Sequence, residues 1–236
     1  MTKLAEHYLE RYFGGEPHPY QLLLEEVRLH LNPQSVLLDA GCGRTAPVLR
    51  TFEGQVARRI GVDLVDFTAP VDGVELIQSD LAKIDLPDGS VDVVMSRSVM
   101  EHVVDPPGVY KEMWRILKPG GHFIFLTGNL WDYAALLALI IPNRFHPGLV
   151  ARTEGRAEED VFPVAYKTNS YGAVKRWAGM TKFDVASFRY LGQYPGYFMF
   201  NGFLFLIATG YEKLIQRFES LRFLRGWILV TLRKPG

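Results

Sequence analysis

The fold of this chain is decided by the stretch Val36-Leu37-Leu38-Asp39-Ala40-Gly41-Cys42-Gly43. A short apolar run that ends in an acid and two glycines is typical of a buried strand followed by a tight turn. Glycine adopts backbone angles that other residues resist, and it lets a ligand approach the main chain closely. Residues 45–50, with Pro47 in the first turn, predict a helix directly after this turn. Together these elements indicate a crevice for a nucleotide-type cofactor.

Two further acids stand at the ends of short predicted strands. One strand covers residues 59–63 and ends at Asp63, and another covers residues 74–80 and ends at Asp80. In dinucleotide-binding sheets, an acid about 20 residues beyond the glycine turn hydrogen-bonds the ribose hydroxyls. A carboxylate can accept both hydrogen bonds of such a diol. Asp63 is therefore the predicted ribose ligand.

Strands alternate with helices along the chain. Asp105 followed by Pro106 and Pro107 predicts a helix that starts with an acidic cap. Such alternation predicts an α/β fold with a mainly parallel sheet. The remaining predicted elements are strands at 90–96, 122–126, 182–188 and 227–232 and helices at 3–13 and 20–31.

Five motifs follow one another along the chain: DAGCG (39–43), GVD (61–63), QSD (78–80), VDVVMS (91–96) and RILKPGG (115–121). In this order they resemble those of the class I S-adenosylmethionine-dependent methyltransferases, in particular the branch that acts on quinones, sugars and small molecules. The resemblance covers about residues 30 to 128. It implies a Rossmann-like, mainly parallel seven-stranded sheet with an antiparallel C-terminal strand, helices on both faces and a lid insertion after strand five.

The resemblance also implies S-adenosylmethionine as the cofactor and assigns residues to it. One position departs from the pattern, because Thr45 stands where many relatives have a third glycine. The residues carried over are Asp39, Gly41, Cys42 and Gly43 around the methionine half, Asp63 and Leu64 at the ribose, Asp80 and Leu81 at the adenine, and Ser96 near the amino-acid portion.

A nicotinamide dinucleotide is the rival cofactor for such a sheet. Its pyrophosphate favours a third glycine and an open helix N-terminus. Here Thr45 and Pro47 crowd the turn, and Pro47 has no N–H to donate. The three acids near the turn also suit a cationic sulfonium better than a dianionic pyrophosphate. The residues therefore favour S-adenosylmethionine.

Methyl transfer needs little from the protein beyond alignment of the acceptor with the S–CH₃ bond. A hydroxyl or neutral amine acceptor must also lose a proton, so a nearby base helps. His102, just beyond the fourth strand, is the predicted base, with a role in shaping the site as the alternative. Cys42 is interpreted as a packing residue rather than a reactive thiol. No cluster has the spacing of a metal site, so we expect no metal.

Composition narrows the class of protein. The chain has 236 residues, 26 basic and 26 acidic, and its zero net charge gives no indication of a nucleic-acid partner. Its one cysteine cannot form an internal disulfide, which favours a reducing compartment. The first residues lack the apolar core of a signal peptide. We expect a cytoplasmic protein, a monomer or homodimer, with peripheral contact at the inner membrane face as a further option.

We expect a single domain spanning 1–236, with N-terminal helices in 1–33 and a cofactor-binding core in 36–128. The segment 129–168 is interpreted as a lid, because long connections at this edge of the sheet are often functional. Its candidate substrate contacts are His146, Asp160 and Tyr166. Residues 169–236 are expected to complete the sheet.

An aromatic insertion at 194–225 interrupts this C-terminal part. Its apolar run, 197–209, is shorter than the roughly 20 residues that a membrane span needs. Two interpretations stay open: a core or dimer-contact segment, or an interfacial segment that binds lipid or a lipid-linked acceptor. Downstream cations outnumber acids, which would suit an anionic membrane surface. A solvated basic face is an equally ordinary interpretation of these charges.

Three functions follow as hypotheses. The first is methyl transfer from S-adenosylmethionine to oxygen or carbon of a small-molecule, sugar or lipid-linked acceptor. The second is a noncatalytic S-adenosylmethionine-binding partner subunit, which the same cofactor residues would support. The third is a membrane-associated scaffold that uses the aromatic insertion.

Overall fold

A computed structural model describes residues 1–133, 135–136 and 163–236. These residues contain seven strands and five α-helices. The strands are β1 (Val36–Ala40), β2 (Arg58–Asp63), β3 (Val74–Gln78), β4 (Val91–Arg97), β5 (Leu117–Gly128), β6 (Asp184–Leu191) and β7 (Trp227–Arg233). The helices are α1 (Lys3–Phe13), α2 (Pro19–Arg28), α3 (Pro106–Ile116), α4 (Tyr171–Thr181) and α5 (Gly202–Arg217).

The strands form one sheet in the order β3-β2-β1-β4-β5-β7-β6. β3, β2, β1, β4 and β5 pair in parallel. β7 runs antiparallel to β5, since the Gly120 N–H donates to the Lys234 carbonyl and the Asn129 N–H donates to the Gly226 carbonyl. The predicted Rossmann-like sheet with an antiparallel C-terminal strand is thus confirmed. Its strand order reverses between β1 and β4, which is where open α/β sheets bind ligands.

Burial explains why the central strands are apolar. Leu37 and Leu38 of β1 and Val93 and Val94 of β4 are fully buried, as expected for strands covered on both faces. β3 lies at the sheet edge, and its residues are only half-buried or exposed. The carboxyl ends of β1 and β4 are therefore held by a packed core.

The capped helix predicted after the fourth strand is present as α3. Asp105 accepts a hydrogen bond from the Gly108 N–H at 3.3 Å, and proline occupies the first helical position. The chain then enters β5 directly at Leu117, five residues before the start of the strand predicted at 122–126. Residues 119–121 lie inside the strand rather than between helix and strand.

The helix predicted at 45–50 is wrong. The chain makes turns there and then a short 3-10 helix, Leu49–Phe52. Pro47 disfavours the α conformation in the residue before it. Ala46 itself has a positive φ of 41°, outside the right-handed helical region, so no α-helix runs through residues 45 and 46. The second helix also ends earlier than predicted, at Arg28 rather than residue 31.

The chain divides into two compact units. The larger unit, which we call the sheet unit, comprises Tyr20–Thr127, Ala165–Arg189 and Leu229–Gly236. The other, which we call the insertion unit, is formed by Met1–Pro19, Gly128–Val164 and Tyr190–Ile228. Whether they act as the single domain expected from the sequence stays a prediction.

The insertion unit has an apolar cluster of its own. Ala5 and Phe13 of α1 are buried with Met199 and Phe205. Gly202 lies so close to Leu4 that an added Cβ would approach the Leu4 Cδ2 to 2.7 Å. The first residue of α5 therefore has to be small. No described helix is long and apolar enough to cross a membrane.

Candidate cofactor site

The turn after β1 requires both of its glycines. Gly41 has a φ of 84° and Gly43 a φ of 73°, a region that residues with a side chain rarely adopt. A Cβ on Gly41 would also lie 2.2 Å from the Val99 Cγ2. The N–H groups of Gly41 and Cys42 both donate to the Val62 carbonyl, at 2.8 and 3.2 Å. This turn is thus fastened to the end of β2.

Asp63 joins the glycine turn to the next loop. Its Oδ2 accepts a hydrogen bond from the Gly43 N–H at 2.7 Å, and its Oδ1 accepts one from the Val65 N–H at 3.2 Å. These two bonds fix the carboxylate beside the turn. Each carboxylate oxygen has a second lone pair, so the group still has capacity to accept a further hydrogen bond.

Asp39 is a buried carboxyl at the end of β1, only 3% exposed. Burial raises its pKa to about 7, the Arg97 charge opposes the rise, and Asp63 adds to it. The charge of Asp39 is therefore only partly compensated in the protein alone. A cation bound beside it would favour the ionised form.

Cys42 packs beneath the same turn. Its side chain is 5% exposed, and a Cβ on Gly61 would lie 2.8 Å from the Cys42 Sγ. Burial raises the pKa of this thiol, and the charges of Asp39 and Asp63 raise it further. The thiol is hence neutral at ordinary pH, which agrees with a packing role and disfavours a nucleophile.

The predicted adenine contacts follow β3. Asp80 is exposed, and its Oδ1 accepts a hydrogen bond from the Ala82 N–H at 2.8 Å. Leu81 is buried, whereas Leu64 after β2 is 58% exposed. The Ser79 N–H donates to the Asp63 carbonyl, which links the ends of β2 and β3. An apolar side chain and two acids thus lie at the ends of adjacent strands.

Ser96 has a different environment from the one that its predicted role suggests. Its side chain is fully buried, and its hydroxyl donates to the Ala40 carbonyl at 2.8 Å. That hydrogen bond joins β4 to β1 where the strand order reverses, at the residue that precedes the glycine turn. Ser96 therefore fixes the spacing of the two strands.

The predicted base, His102, lies in the turns that follow β4. Its N–H donates to the Val99 carbonyl at 2.8 Å, so its backbone is anchored to the residue that packs against Gly41. Tyr166, a predicted lid residue, donates its N–H to the Glu101 carbonyl at 3.0 Å. Of the other lid residues, His146 and Asp160 lie outside the described part of the chain, as does most of the predicted lid.

Next to His102, a chain of polar side chains holds Glu101. The Thr127 hydroxyl donates to the Glu101 Oε2 at 2.5 Å, and the Asn169 Nδ2 donates to the Thr127 Oγ1 at 2.8 Å. Thr127 and Asn169 are fully buried. The carboxylate of Glu101 is therefore fixed near the carboxyl end of β5. Among the described residues, no group of three or more His, Cys, Asp or Glu could hold a metal ion.

Comparison with known proteins agrees with this geometry. A family model described as a methyltransferase domain matches residues 38–125. A probable S-adenosylmethionine-dependent methyltransferase from Mycolicibacterium smegmatis is 38% identical over 99 residues, which cover 39% of this chain and 38% of that protein. The chain carries a class I S-adenosylmethionine-dependent methyltransferase domain.

Two further comparisons extend beyond this core. A sterol 24-C-methyltransferase from Yarrowia lipolytica is 28% identical over 134 residues, covering 50% of this chain and 35% of that protein. The crystal structure of an S-adenosylmethionine-dependent methyltransferase from Mesorhizobium loti has a TM-score of 0.61 at 17% identity, covering 92% of this chain and 98% of that one. The matched segments span little more than a third of the length of the two curated relatives.

The cofactor of this family is S-adenosylmethionine, and the residues present fit it. Its sulfonium and ammonium groups are cations, and Asp39 is a buried carboxyl with little compensation. Its ribose carries a diol, and Asp63 is a carboxylate held beside the turn. The methyltransferase domain thus offers acceptors for positive charge where its strand order reverses.

The sequence did not reveal four polar residues of the methyltransferase domain. The Arg97 Cζ lies 4.6 Å from the centroid of the Tyr20 ring, and the charge of Arg97 opposes the rise in the pKa of Asp39. Thr127 and Asn169 hold Glu101. Thr127 could have been found as a polar residue at the end of a buried strand, the rule that found Asp39. Tyr20 and Asn169 are distant in sequence and carried no such signal.

Proposed function

We propose that this protein transfers a methyl group from S-adenosylmethionine to carbon or oxygen of a small apolar or lipid-linked acceptor. The observation that carries the proposal is the buried Asp39 beside a two-glycine turn fastened to β2. Similarity to a sterol 24-C-methyltransferase supports an apolar acceptor, on which carbon is the methylated atom. Sugars and other polar metabolites are the broader alternative.

In this proposal the cofactor residues keep the roles that the family resemblance gives them. Ser96 acts through the Ala40 carbonyl rather than by direct contact. The full set comprises Asp39, Gly41, Cys42 and Gly43 at the methionine half, Asp63 and Leu64 at the ribose, Asp80 and Leu81 at the adenine, and Ser96 behind the turn.

The bound cofactor supplies an electrophilic methyl group, so the protein has to align the acceptor and take its proton. We propose His102 or Glu101 as the proton acceptor. Glu101 is the better fixed, because the Thr127 hydroxyl holds its carboxylate. The pH profile of transfer separates the two, because Glu101→Gln removes a carboxylate and His102→Asn removes an imidazole.

The test uses methyl-labelled S-adenosylmethionine, the purified protein and an extract of the source cells, followed by partition between organic and aqueous phases. Label in the organic phase supports a lipid or other apolar acceptor, and label in the aqueous phase supports a sugar or polar metabolite. Asp63→Ala is the control, and we expect about 100-fold weaker cofactor binding because two charge-assisted hydrogen bonds to the ribose are lost. Unchanged binding would refute the ribose assignment.

Binding without transfer would instead favour the noncatalytic partner subunit. Flotation with lipid but no cofactor binding would favour the membrane scaffold. We propose a monomer or homodimer with peripheral attachment at the inner membrane face and no nucleic-acid partner.

A further inference from the structure

Helix α5 of the insertion unit presents a line of large apolar side chains to solvent. Phe203, Ile207 and Leu214 are 69%, 57% and 50% exposed. Their spacing of four and seven residues places them on one face of the helix. Phe200 before the helix and Phe218 after it are exposed as well. We call these five residues the α5 stripe.

The opposite face of α5 already has its packing partners. Phe205, Thr209 and Ile215 are buried there. The stripe is thus not the side that holds α5 to its own unit. Full burial of one such side chain is worth about 1.5–3 kcal/mol, so a contiguous exposed line of them is typical of an interaction surface.

Charges beside the stripe indicate what covers it. Between residues 196 and 228 there are four cations, Lys213, Arg217, Arg222 and Arg225, and two acids. Glu212 is fully buried and Glu219 is bound by Arg222 and Arg225. Lys213 is paired with Glu16, whereas Arg222 and Arg225 share the single acid Glu219, so an excess of positive charge remains beside the stripe at Arg217 and at this arginine pair. Arg217, three residues after Leu214, is exposed along its edge.

We propose that the α5 stripe docks on the surface of an anionic lipid bilayer, with the helix lying in the interface and its cations at the headgroups. This deepens the proposed function and rests on it for its purpose, because a lipid-linked acceptor is presented at that surface. α5 has 16 residues, too few for a span, so it lies on the bilayer rather than crossing it.

Vesicle flotation of the full chain tests this docking. The probes are vesicles of phosphatidylcholine alone and of phosphatidylcholine with phosphatidylglycerol. We expect the protein to float with the anionic vesicles, and the double variant Phe203→Ser/Ile207→Ser to bind them at least about tenfold more weakly. Met180→Ser is the matched control, because Met180 on α4 is 65% exposed but lies outside the stripe.

Arg217→Gln tests the charge. It should reduce binding to the anionic vesicles and reduce the sensitivity of that binding to salt. Equal flotation of the double variant and the Met180 control would overturn the proposal. So would a wild-type dimer that the double variant dissociates, or a double variant with a lower unfolding temperature than the control, since the stripe would then be a protein contact.

Flotation needs no methyl transfer, so the two proposals fail separately. Wild-type flotation without label in the organic phase would leave the docking surface standing and remove the lipid acceptor. Label in the organic phase without flotation would do the reverse.

Discussion

Glu112 and Glu212 are both buried on helices, one in each unit, and they have opposite environments. Glu112 on α3 accepts hydrogen bonds from the Arg115 guanidinium at 2.7 and 2.9 Å and from the Ile84 N–H at 2.7 Å. Those bonds lower its pKa, against the effect of burial. For Glu212 on α5, no described residue makes a hydrogen bond of good geometry to either carboxylate oxygen. Burial raises its pKa to about 8, and the nearby Asp132 adds to the rise.

This difference shows where the protein carries unfavourable electrostatics. In the sheet unit the charge of Glu112 is neutralised by a fixed arginine that also donates to the Leu86 and Ile84 carbonyls. In the insertion unit the rise in the pKa of Glu212 is opposed by hydrogen bonding to Gln193 rather than by a cation, and the Gln193 amide also lies 3.4 Å from the Asp132 carboxylate. Buried charge without a cation destabilises a fold. Ionisation of Glu212 therefore lowers the stability of the insertion unit.

The same substitution should have opposite signs at the two glutamates. Glu112→Gln removes a bidentate acceptor from Arg115, and we expect it to lower the free energy of unfolding by about 2–3 kcal/mol, less than for a wholly buried pair because Arg115 is partly exposed. Urea denaturation monitored by circular dichroism gives the value. A variant as stable as the wild type would mean that the Arg115 network contributes nothing.

Glu212→Gln should instead stabilise the protein near pH 8, by up to about 4 kcal/mol. The folded pKa of about 8 lies above the ordinary value of 4.5, so the folded state keeps a proton that the unfolded state loses between these values. The free energy of unfolding of the wild type consequently falls as pH rises through that window. The variant lacks this slope, so the two proteins should converge near pH 4.5. Urea titrations at several pH values test this, and a constant difference across the range would contradict it.

Asp39 is a third buried carboxyl. It differs from both glutamates because a bound ligand can supply the positive charge that would compensate it. With a pKa of about 7, Asp39 should be ionised by a bound cation. We expect S-adenosylmethionine affinity to rise about tenfold as pH increases from about 6 to above 7. Calorimetric titration of Asp39→Asn is the control, since titration of the cofactor itself persists there. An equal pH dependence in both proteins would assign the effect to the cofactor.

Patterns local to one strand and its turn were sufficient to predict the parallel part of the sheet, whereas its antiparallel C-terminal strand was implied by the family resemblance. Asp39, Asp63 and Asp80 each follow a buried or edge strand, and the structure places them at the same end of neighbouring parallel strands. The helix predicted at 45–50 failed because the backbone of Ala46 has a positive φ, outside the helical region, so the turn after β1 extends further than the local pattern indicated.

Contacts distant in sequence were beyond reach of such patterns. Gln193 approaches Asp132 across 61 positions, and Asn169 reaches Thr127 across 42. In neither pair does the sequence around one residue predict its contact with the other. The sequence also did not predict that Glu212 lacks a cationic partner. Its neighbour Lys213 would be the expected partner, but the Lys213 ammonium binds Glu16 instead.

Asn129, at the start of the segment 129–168, is hydrogen-bonded to the end of the aromatic insertion 194–225. Its side-chain amide donates to the carbonyls of Phe223 and Arg225 at 2.6 and 2.7 Å, and its N–H donates to the Gly226 carbonyl at 2.9 Å. A chimaera that replaced only one segment with that of a related enzyme would leave the Asn129 amide or its acceptor carbonyls without hydrogen-bond partners. Acceptor specificity should accordingly be transplantable only as a matched cassette, with both segments exchanged together.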